Sequence, residues 1–319
     1  MSATPHRVGI IGLGTVGSRF VEQFGLHPGF DLVAAWDPDA AACHTHAGQV
    51  AIADGAAGVI EAADLVYIAV PPLHHAEYVH ACIGAGKAIF CEKPLGIDVD
   101  ESRELVAAVE TSGLPAAVNF VFGSAPAAVD LGTHVASGGI GDLVRADLRL
   151  HFAQWPRAWH AKAQWLTLRD QGGWVREVAS HFLFLAGRIL GPLRLSAGDV
   201  RYPDGPGGHL SETWASAWWD GDSGPLTMAG TSTGGGIDVI DLTVRGSTGA
   251  VRIWDWYRLQ VDDGSGWRDL LTDDRAALGS DAYAAQLDQL ARMMDRQDHV
   301  LATFAEALAV QELVEELLG

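Results

Sequence analysis

Apolar residues follow two regimes along this chain. In roughly its first third they form short, mostly apolar runs, at residues 8–11, 30–36, 64–70, 88–91 and 116–122. A run without polar alternation marks a strand covered on both faces. Helical stretches separate the runs. One opens at Ser18-Arg19-Phe20-Val21, an alanine-rich segment follows Asp37, and residues 75–85 make a helix with Gly86 placed to end it. Asp98 and Glu101 have capping-box spacing for a helix through Thr111, which Gly113 and Pro115 close. Strands alternating with helices predict a parallel sheet with right-handed crossovers.

After residue 122 the period changes. Residues 142–152 alternate, with Val144, Ala146, Leu148, Leu150 and Phe152 on one face and Arg145, Asp147, Arg149 and His151 on the other. That is a strand with one wet side. Further β-rich runs fall at residues 193–200, 213–219, 226–233, 239–245, 250–254, 257–261 and 267–271, the last two joined by the turn Asp262-Asp263-Gly264-Ser265-Gly266. Short turns between consecutive strands predict a mainly antiparallel sheet. Helices are expected at residues 173–190, 281–296 and 303–318, the last with Thr303 and Glu306 as its capping box. No internal repeat or low-complexity linker interrupts this order. The fold class is therefore α/β: a doubly wound parallel sheet over residues 1–122, then an α+β domain over 123–319 with a large, mainly antiparallel open sheet.

The first strand runs into Gly12-Leu13-Gly14-Thr15-Val16-Gly17 and then a helix. Gly12 permits the tight turn, Gly14 lets the backbone approach a pyrophosphate, and Gly17 lets helix and strand pack closely. The amides around Thr15 and Val16, at the positive end of the helix, suit phosphate oxygens. Asp37 ends the second strand, twenty residues after Gly17, where an acid would bind adenosine ribose hydroxyls. No Lys or Arg occurs between Asp31 and Gly86, so a 2′-phosphate finds no cation nearby. The local chemistry favours NAD over NADP.

The chain has 319 residues, enough for two ordinary domains. Its formal charge of −19 repels nucleic acid and anionic membranes, so neither is expected as a partner. No apolar run approaches the ~18 residues of a membrane span, and residues 1–6 lack a secretory leader's basic and apolar regions. A cytoplasmic location is expected. Cys43, Cys82 and Cys91 are an odd number in apolar surroundings and read as buried reduced thiols. His44, His46, His74, His75 and His80 match no common zinc spacing, so no metal is expected.

With Pro71 and His75 four residues on, followed by Ala85-Gly86-Lys87-Ala88-Ile89-Phe90-Cys91-Glu92-Lys93-Pro94-Leu95, the chain resembles the Gfo/Idh/MocA oxidoreductases, which include glucose–fructose oxidoreductase and inositol dehydrogenase. The resemblance runs the whole length, through an Ile140-Gly141-Asp142 turn and Gly172-Gly173 before a histidine-bearing helix. It implies a nicotinamide-binding domain with Val70, Pro71, His75, Glu92 and Lys93 at the cofactor, Lys93 as the active-site lysine and a Lys93-Pro94 bond that is often cis. It also implies a second domain whose open sheet floors the substrate and often joins subunits, hence a homodimer or homotetramer. The family's second signature has the form DxGxHxxD. Here it reads Glu177-Val178-Ala179-Ser180-His181-Phe182-Leu183-Phe184, so His181 is retained, Glu177 replaces the first acid and Phe184 the second.

Hydride transfer from an alcohol carbon needs a base for the hydroxyl proton and a cation for the developing alkoxide. His181 suits the first role, and Lys93 the second or a proton relay. Glu177, one turn before His181, can orient the imidazole or bind a substrate hydroxyl. Trp155, Arg157, Lys162 and Trp165 follow the first antiparallel strand, where a substrate loop would lie. Indole faces suit the C–H face of a sugar or cyclitol, and Arg157 or Lys162 a carboxylate or hydroxyls. The expected activity is NAD(H)-dependent oxidation or reduction of a secondary alcohol or ketone on such a small polyol. The alternatives are non-redox elimination or glycoside cleavage with bound NAD, and a cofactor-binding sensor without catalysis.

Overall fold

In the computed structural model, which describes residues 4–160, 163–205 and 207–319, the early apolar runs become a five-stranded parallel sheet. Its elements are β1 (His6–Ile11), α1 (Thr15–Leu26), β2 (Phe30–Trp36), α2 (Ala40–His46), α3 (Ala56–Ala62), β3 (Leu65–Ile68), α4 (His75–Gly84), β4 (Ala88–Cys91), α5 (Val99–Ser112) and β5 (Ala116–Val118). The strand order is β2-β1-β3-β4-β5. The chain moves from β1 to one side and then crosses back to the other, so the order reverses beside the carboxyl end of β1, where α/β sheets bind ligands. Glycine caps and the Asp98 cap act as expected: the Asp98 carboxylate accepts from the Glu101 amide at 2.8 Å.

Two compact units form. Met1–Phe120 groups with Tyr283–Ala309, and Val121–Ala282 with Val310–Gly319. Chain order had assigned everything after residue 122 to the second domain. The returning segment belongs with the first because Leu287, Leu290, Met293 and Leu301 enter the same core as Val8, Phe20, Phe24 and Tyr67. Phe20 and Phe24 are wholly buried there, and each such ring contributes about 1.5–3 kcal/mol by leaving water.

The second unit holds an eight-stranded sheet. In chain order come α6 (Pro126–Ala136), β6 (Leu143–His151), α7 (Ser180–Leu190), β7 (Arg194–Arg201), β8 (Trp214–Gly221), β9 (Gly224–Thr231), β10 (Val239–Gly246), β11 (Ala250–Trp254), β12 (Arg258–Asp262) and β13 (Arg268–Asp269). The helices α8 (Arg275–Met294) and α9 (Phe304–Leu318) complete the chain, each contributing residues to both units. The sheet order is β13-β12-β11-β10-β6-β9-β8-β7. Every pairing is antiparallel except β6 with β9, which are separated in the chain by α7, β7 and β8. On β6, Ala146, Leu148 and Leu150 are buried, while Asp147 on the other face takes Arg145 at 3.2 Å and Arg245 at 3.3 Å. At Gly230 a Cβ would stand 2.3 Å from the Trp174 ring, so the missing side chain lets that indole lie on the sheet.

Three local expectations change. The run at residues 116–122 stops as a strand at Val118, because the Asn119 side chain turns in to a buried polar network and Val121–Gly123 forms a 3₁₀ turn. The helix expected over residues 173–190 opens with a wider π segment, Val175–Ala179, before α7. Helix α8 begins at Arg275, ahead of the expected residue 281.

Candidate active site

The nucleotide part is built at the carboxyl edge of the parallel sheet. Gly12 has φ +100°, and a Cβ there would lie 2.5 Å from the Ala69 carbonyl. A Cβ on Gly17 would fall 1.9 Å from the Gly12 carbonyl oxygen, so α1 crosses β1 at glycine distance. At Gly14, the N-cap of α1, a Cβ meets nothing within 4 Å. Two glycines close the turn on protein and the third leaves its outer side open, which is the cradle a pyrophosphate needs beside the amides of Thr15 and Val16. The Asp37 carboxylate accepts from the Leu13 amide at 2.6 Å and from the Asp39 amide at 2.8 Å, and is thereby fixed at the rim of the turn. A carboxylate has about four acceptor positions, so capacity remains for ribose hydroxyls. Tyr78 lies in the field of Asp37 and Glu77, and burial with those charges raises its phenol above the usual value. Arg19 donates to the Tyr283 hydroxyl and stacks on that ring.

Val70 and Pro71 follow β3 at the same edge, and the fully buried His75 ties them to the next loop. Its Nε2 faces the Val70 carbonyl at 2.9 Å and its Nδ1 the Leu95 carbonyl at 3.2 Å. Burial pushes the ring down to about 4, so it is neutral and donates to one of the two. His75 thus braces the loops that carry Val70 and Lys93.

Glu92 and Lys93 directly follow β4, both buried, and the Lys93-Pro94 bond is cis. Glu92 Oε1 accepts from the Tyr67 hydroxyl and the Asn119 amide, and Gln286 in turn donates to Asn119 at 2.7 Å. Burial first, then the Glu92 charge, raises the Tyr67 phenol well above its ordinary value, so it stays a donor. Lys93 is thereby carried on a turn whose preceding residue is held by a buried polar chain. Sequence reasoning did not reach Tyr67, Asn119 or Gln286, which lie far apart in the chain and carry no motif.

The residues proposed from the sequence for the substrate, other than Lys93, lie in the second unit. His181 on α7 is buried, with Trp256 edge-on to it at 5.6 Å between ring centres and Phe122 at 6.1 Å. The π segment before it donates Ser180 N–H back to the Val175 carbonyl, an irregularity common at functional sites. Glu177, within that segment, reaches His160 Nε2 at 3.9 Å. Arg157 packs against Trp155, Trp159 and Trp256, so the candidate loop, Glu177 and His181 form one cluster. Trp155 donates its indole N–H to the Leu166 carbonyl at 3.3 Å and precedes a second cis bond, Trp155-Pro156. Trp165 sits on the 3₁₀ turn Gln164–Thr167, and among the described residues no ring or cation contact joins its indole to the cluster. Phe184 is buried with the Arg188 guanidinium 4.4 Å from its ring centre. Lys162 lies outside the described residues. Trp256, missed in the sequence, stands in an aromatic turn with φ +71°, a signal only the backbone reveals.

At the foot of the π segment is an acid that no sequence motif marks. Glu212 is fully enclosed, accepts the Val175 amide at 2.7 Å, and its other oxygen has no partner. Burial pushes its carboxyl up to about 7. Gly173, φ +97°, makes room for it: a Cβ there would lie 2.2 Å from the Glu212 carboxylate.

Residues 6–120 match the family described as GFO_IDH_MocA, oxidoreductase family, NAD-binding Rossmann fold. An inositol 2-dehydrogenase from Saccharopolyspora erythraea is 38% identical over 112 residues, 34% of this chain and 33% of that protein. The aligned stretch thus spans about a third of the length of that curated relative. Among solved structures, a dehydrogenase from Clostridium difficile superposes with a TM-score of 0.84 at 14% identity, covering 99% of each chain. A 3-ketoreductase from Actinomadura kijaniata, in complex with NADP and TDP-benzene, gives 0.81 at 19%, covering 98% of this chain and 97% of that one. At these identities the two structures speak to the fold. No helix among the described residues is long and apolar enough to cross a membrane.

Proposed function

We propose that this chain, whose residues 6–120 match the Gfo/Idh/MocA oxidoreductase family, is an NAD(H)-dependent oxidoreductase acting on a secondary alcohol or ketone of a sugar, cyclitol or related small polyol. The observation that carries this is the open side of Gly14 at the head of α1, on the same sheet edge as the buried Lys93. The glycine turn, Asp37, Val70 and Pro71 hold the dinucleotide, while His75 and Glu92 keep their loops in place. Bound nicotinamide supplies the hydride acceptor or donor. His181 takes the hydroxyl proton as the carbon gives up hydride, Lys93 stabilises the alkoxide, and Glu177 orients the substrate hydroxyl or the imidazole. Reduction of a ketone runs the same steps backwards.

NAD is preferred over NADP because the surroundings of Asp37 are acidic and phenolic, and Arg19 is engaged by Tyr283. Three free cysteines, two of them buried, suit a reducing cytoplasm. Assembly as a homodimer or homotetramer through the outer face of the eight-stranded sheet is part of the same proposal, and sedimentation tests it.

Calorimetric titration with NADH and, separately, NADPH is the first test. Tight NADH and weak NADPH binding is expected, and preference for NADPH would reverse the cofactor assignment. Lys93→Ala should keep NADH binding and lower turnover of a converted polyol by about 10²–10⁴-fold. Undiminished turnover would remove Lys93 from the chemistry. Phe184 in place of the family's second acid favours one competing reading, a sensor, which cofactor binding without conversion across sugars, cyclitols and ketones would establish.

A further inference from the structure

Arg157 is surrounded by rings. Its guanidinium carbon lies 4.9 Å from the ring centre of Trp159, 5.4 Å from Phe152, 5.8 Å from Trp256 and 5.9 Å from Trp155. Stacking against aromatic faces satisfies the faces of a guanidinium and strips water from them. It does nothing for the N–H donors, which lie in the plane and point outward from its edge. The Nε of Arg157 is buried without a partner, and among the described residues no hydrogen bond or ion pair engages any of its nitrogens. Arg157 is half-buried, so its Nε is the donor withdrawn from water without an acceptor, which is costly, and such a donor is retained where something else completes it.

The surrounding charges define what that is. Glu177 and Asp238 act on Arg157 only through space, Arg275 acts in the opposite sense, and burial outweighs them all in weakening its hold on the proton. Arg275 is engaged by Asp255 at 2.9 Å, and Asp238 accepts from the Ala153 amide at 3.0 Å. With two carboxylates already in its field, a single planar fork matches one monoanionic carboxylate, which it can meet with two parallel N–H bonds. A phosphate dianion calls for more positive charge than the one guanidinium of Arg157 presents. Because Trp256 touches both Arg157 and His181, a group held on the fork lies at the edge of the proposed substrate position.

We propose that Arg157 determines specificity by binding a carboxylate on the substrate, so that the protein takes sugar or cyclitol acids in preference to neutral polyols. This rests on the function proposed above. The indoles that hold the guanidinium also offer their faces to the ring C–H groups of such an acid, so charge and apolar surface are recognised by one loop.

The test titrates NADH-loaded protein with D-glucuronate, D-galacturonate, D-gluconate, D-glucose and D-glucose 6-phosphate. At least one of the three carboxylates should bind about tenfold or more tightly than glucose. Arg157→Gln should abolish that difference while NADH affinity and melting temperature hold, and Arg157→Lys, which keeps charge without the fork, should restore only part of it. Carboxylates no tighter than glucose, a preference that survives Arg157→Gln, or glucose 6-phosphate outranking every carboxylate would each overturn the assignment. Failure of NADH itself to bind would overturn the proposed function instead, so the two failures are distinct.

Discussion

Gly14 and Gly17 lie in one turn, yet a methyl group added to each meets opposite surroundings. At Gly17 the added carbon falls 1.9 Å from the Gly12 carbonyl oxygen, backbone that cannot step aside. Gly17→Ala should therefore lower stability by about 1–3 kcal/mol or more, as overpacking does, despite alanine's better helix propensity. At Gly14 the carbon meets nothing within 4 Å and the backbone, at φ −67°, accepts any residue. Gly14→Ala should melt with the wild type but bind NADH more weakly, because the methyl stands where the pyrophosphate would approach. Denaturant unfolding and calorimetry on the two variants separate the roles, and an NADH affinity unchanged in Gly14→Ala would remove this glycine from the cofactor cradle. Sequence alone ranks these glycines equally as motif positions; only the crossing of α1 over β1 tells them apart.

The helix that carries His181 shows how an element depends on a residue its own sequence does not contain. The pattern from Gly173 to Leu190 supports a helix, and the histidine, its preceding acid and the phenylalanine were all legible in it. The π segment was not, nor was Glu212, which comes from a later stretch of chain and caps the Val175 amide from inside the unit. Around that carboxyl stand Arg176, paired with Glu315 at 2.6 Å, and Tyr202 with Arg169 stacked on its ring at 3.7 Å. Arg176 favours the charged form, but burial prevails and the carboxyl titrates at about 7. A carboxyl raised in the folded state binds its proton there first. Folding therefore gains stability as pH falls from 7 towards the unfolded value near 4.5, and the penalty is full above 7. Glu212→Gln cannot ionise. Its stability relative to wild type should be greater at pH 8 than at pH 5 by on the order of 3 kcal/mol, measured by urea unfolding. A difference that does not change with pH would mean that Glu212 is ionised in the fold throughout.

At the scale of the whole molecule, reading elements in chain order gave the parallel sheet and the large antiparallel one. It could not see that Tyr283–Ala309 returns to the first unit, because that return rests on long-range apolar contacts such as Leu287 and Leu290 in the core with Phe24. Two buried groups, one in each unit, also respond to acid in opposite senses. In the second, Glu212 makes folding more favourable as pH falls below 7. In the first, His75 is held neutral with its folded value near 4, below the ordinary 6.5. A base depressed in the fold contributes stability that is complete above about 6.5 and is lost as pH falls towards 4, since the unfolded chain takes up the proton first. Across the window from about 6.5 to 4.5 the two contributions therefore oppose each other, and the pH dependence of the intact protein understates both. His75→Gln removes one of them while keeping an N–H to offer the Val70 carbonyl. Its stability relative to wild type should rise between pH 7 and pH 4 by on the order of 3 kcal/mol, leaving the Glu212 dependence exposed. A flat difference would carry its own structural meaning: both ring nitrogens face carbonyl oxygens, so it would show that the imidazole takes up its proton in the fold as readily as in the unfolded chain, donating then to Val70 and Leu95 at once.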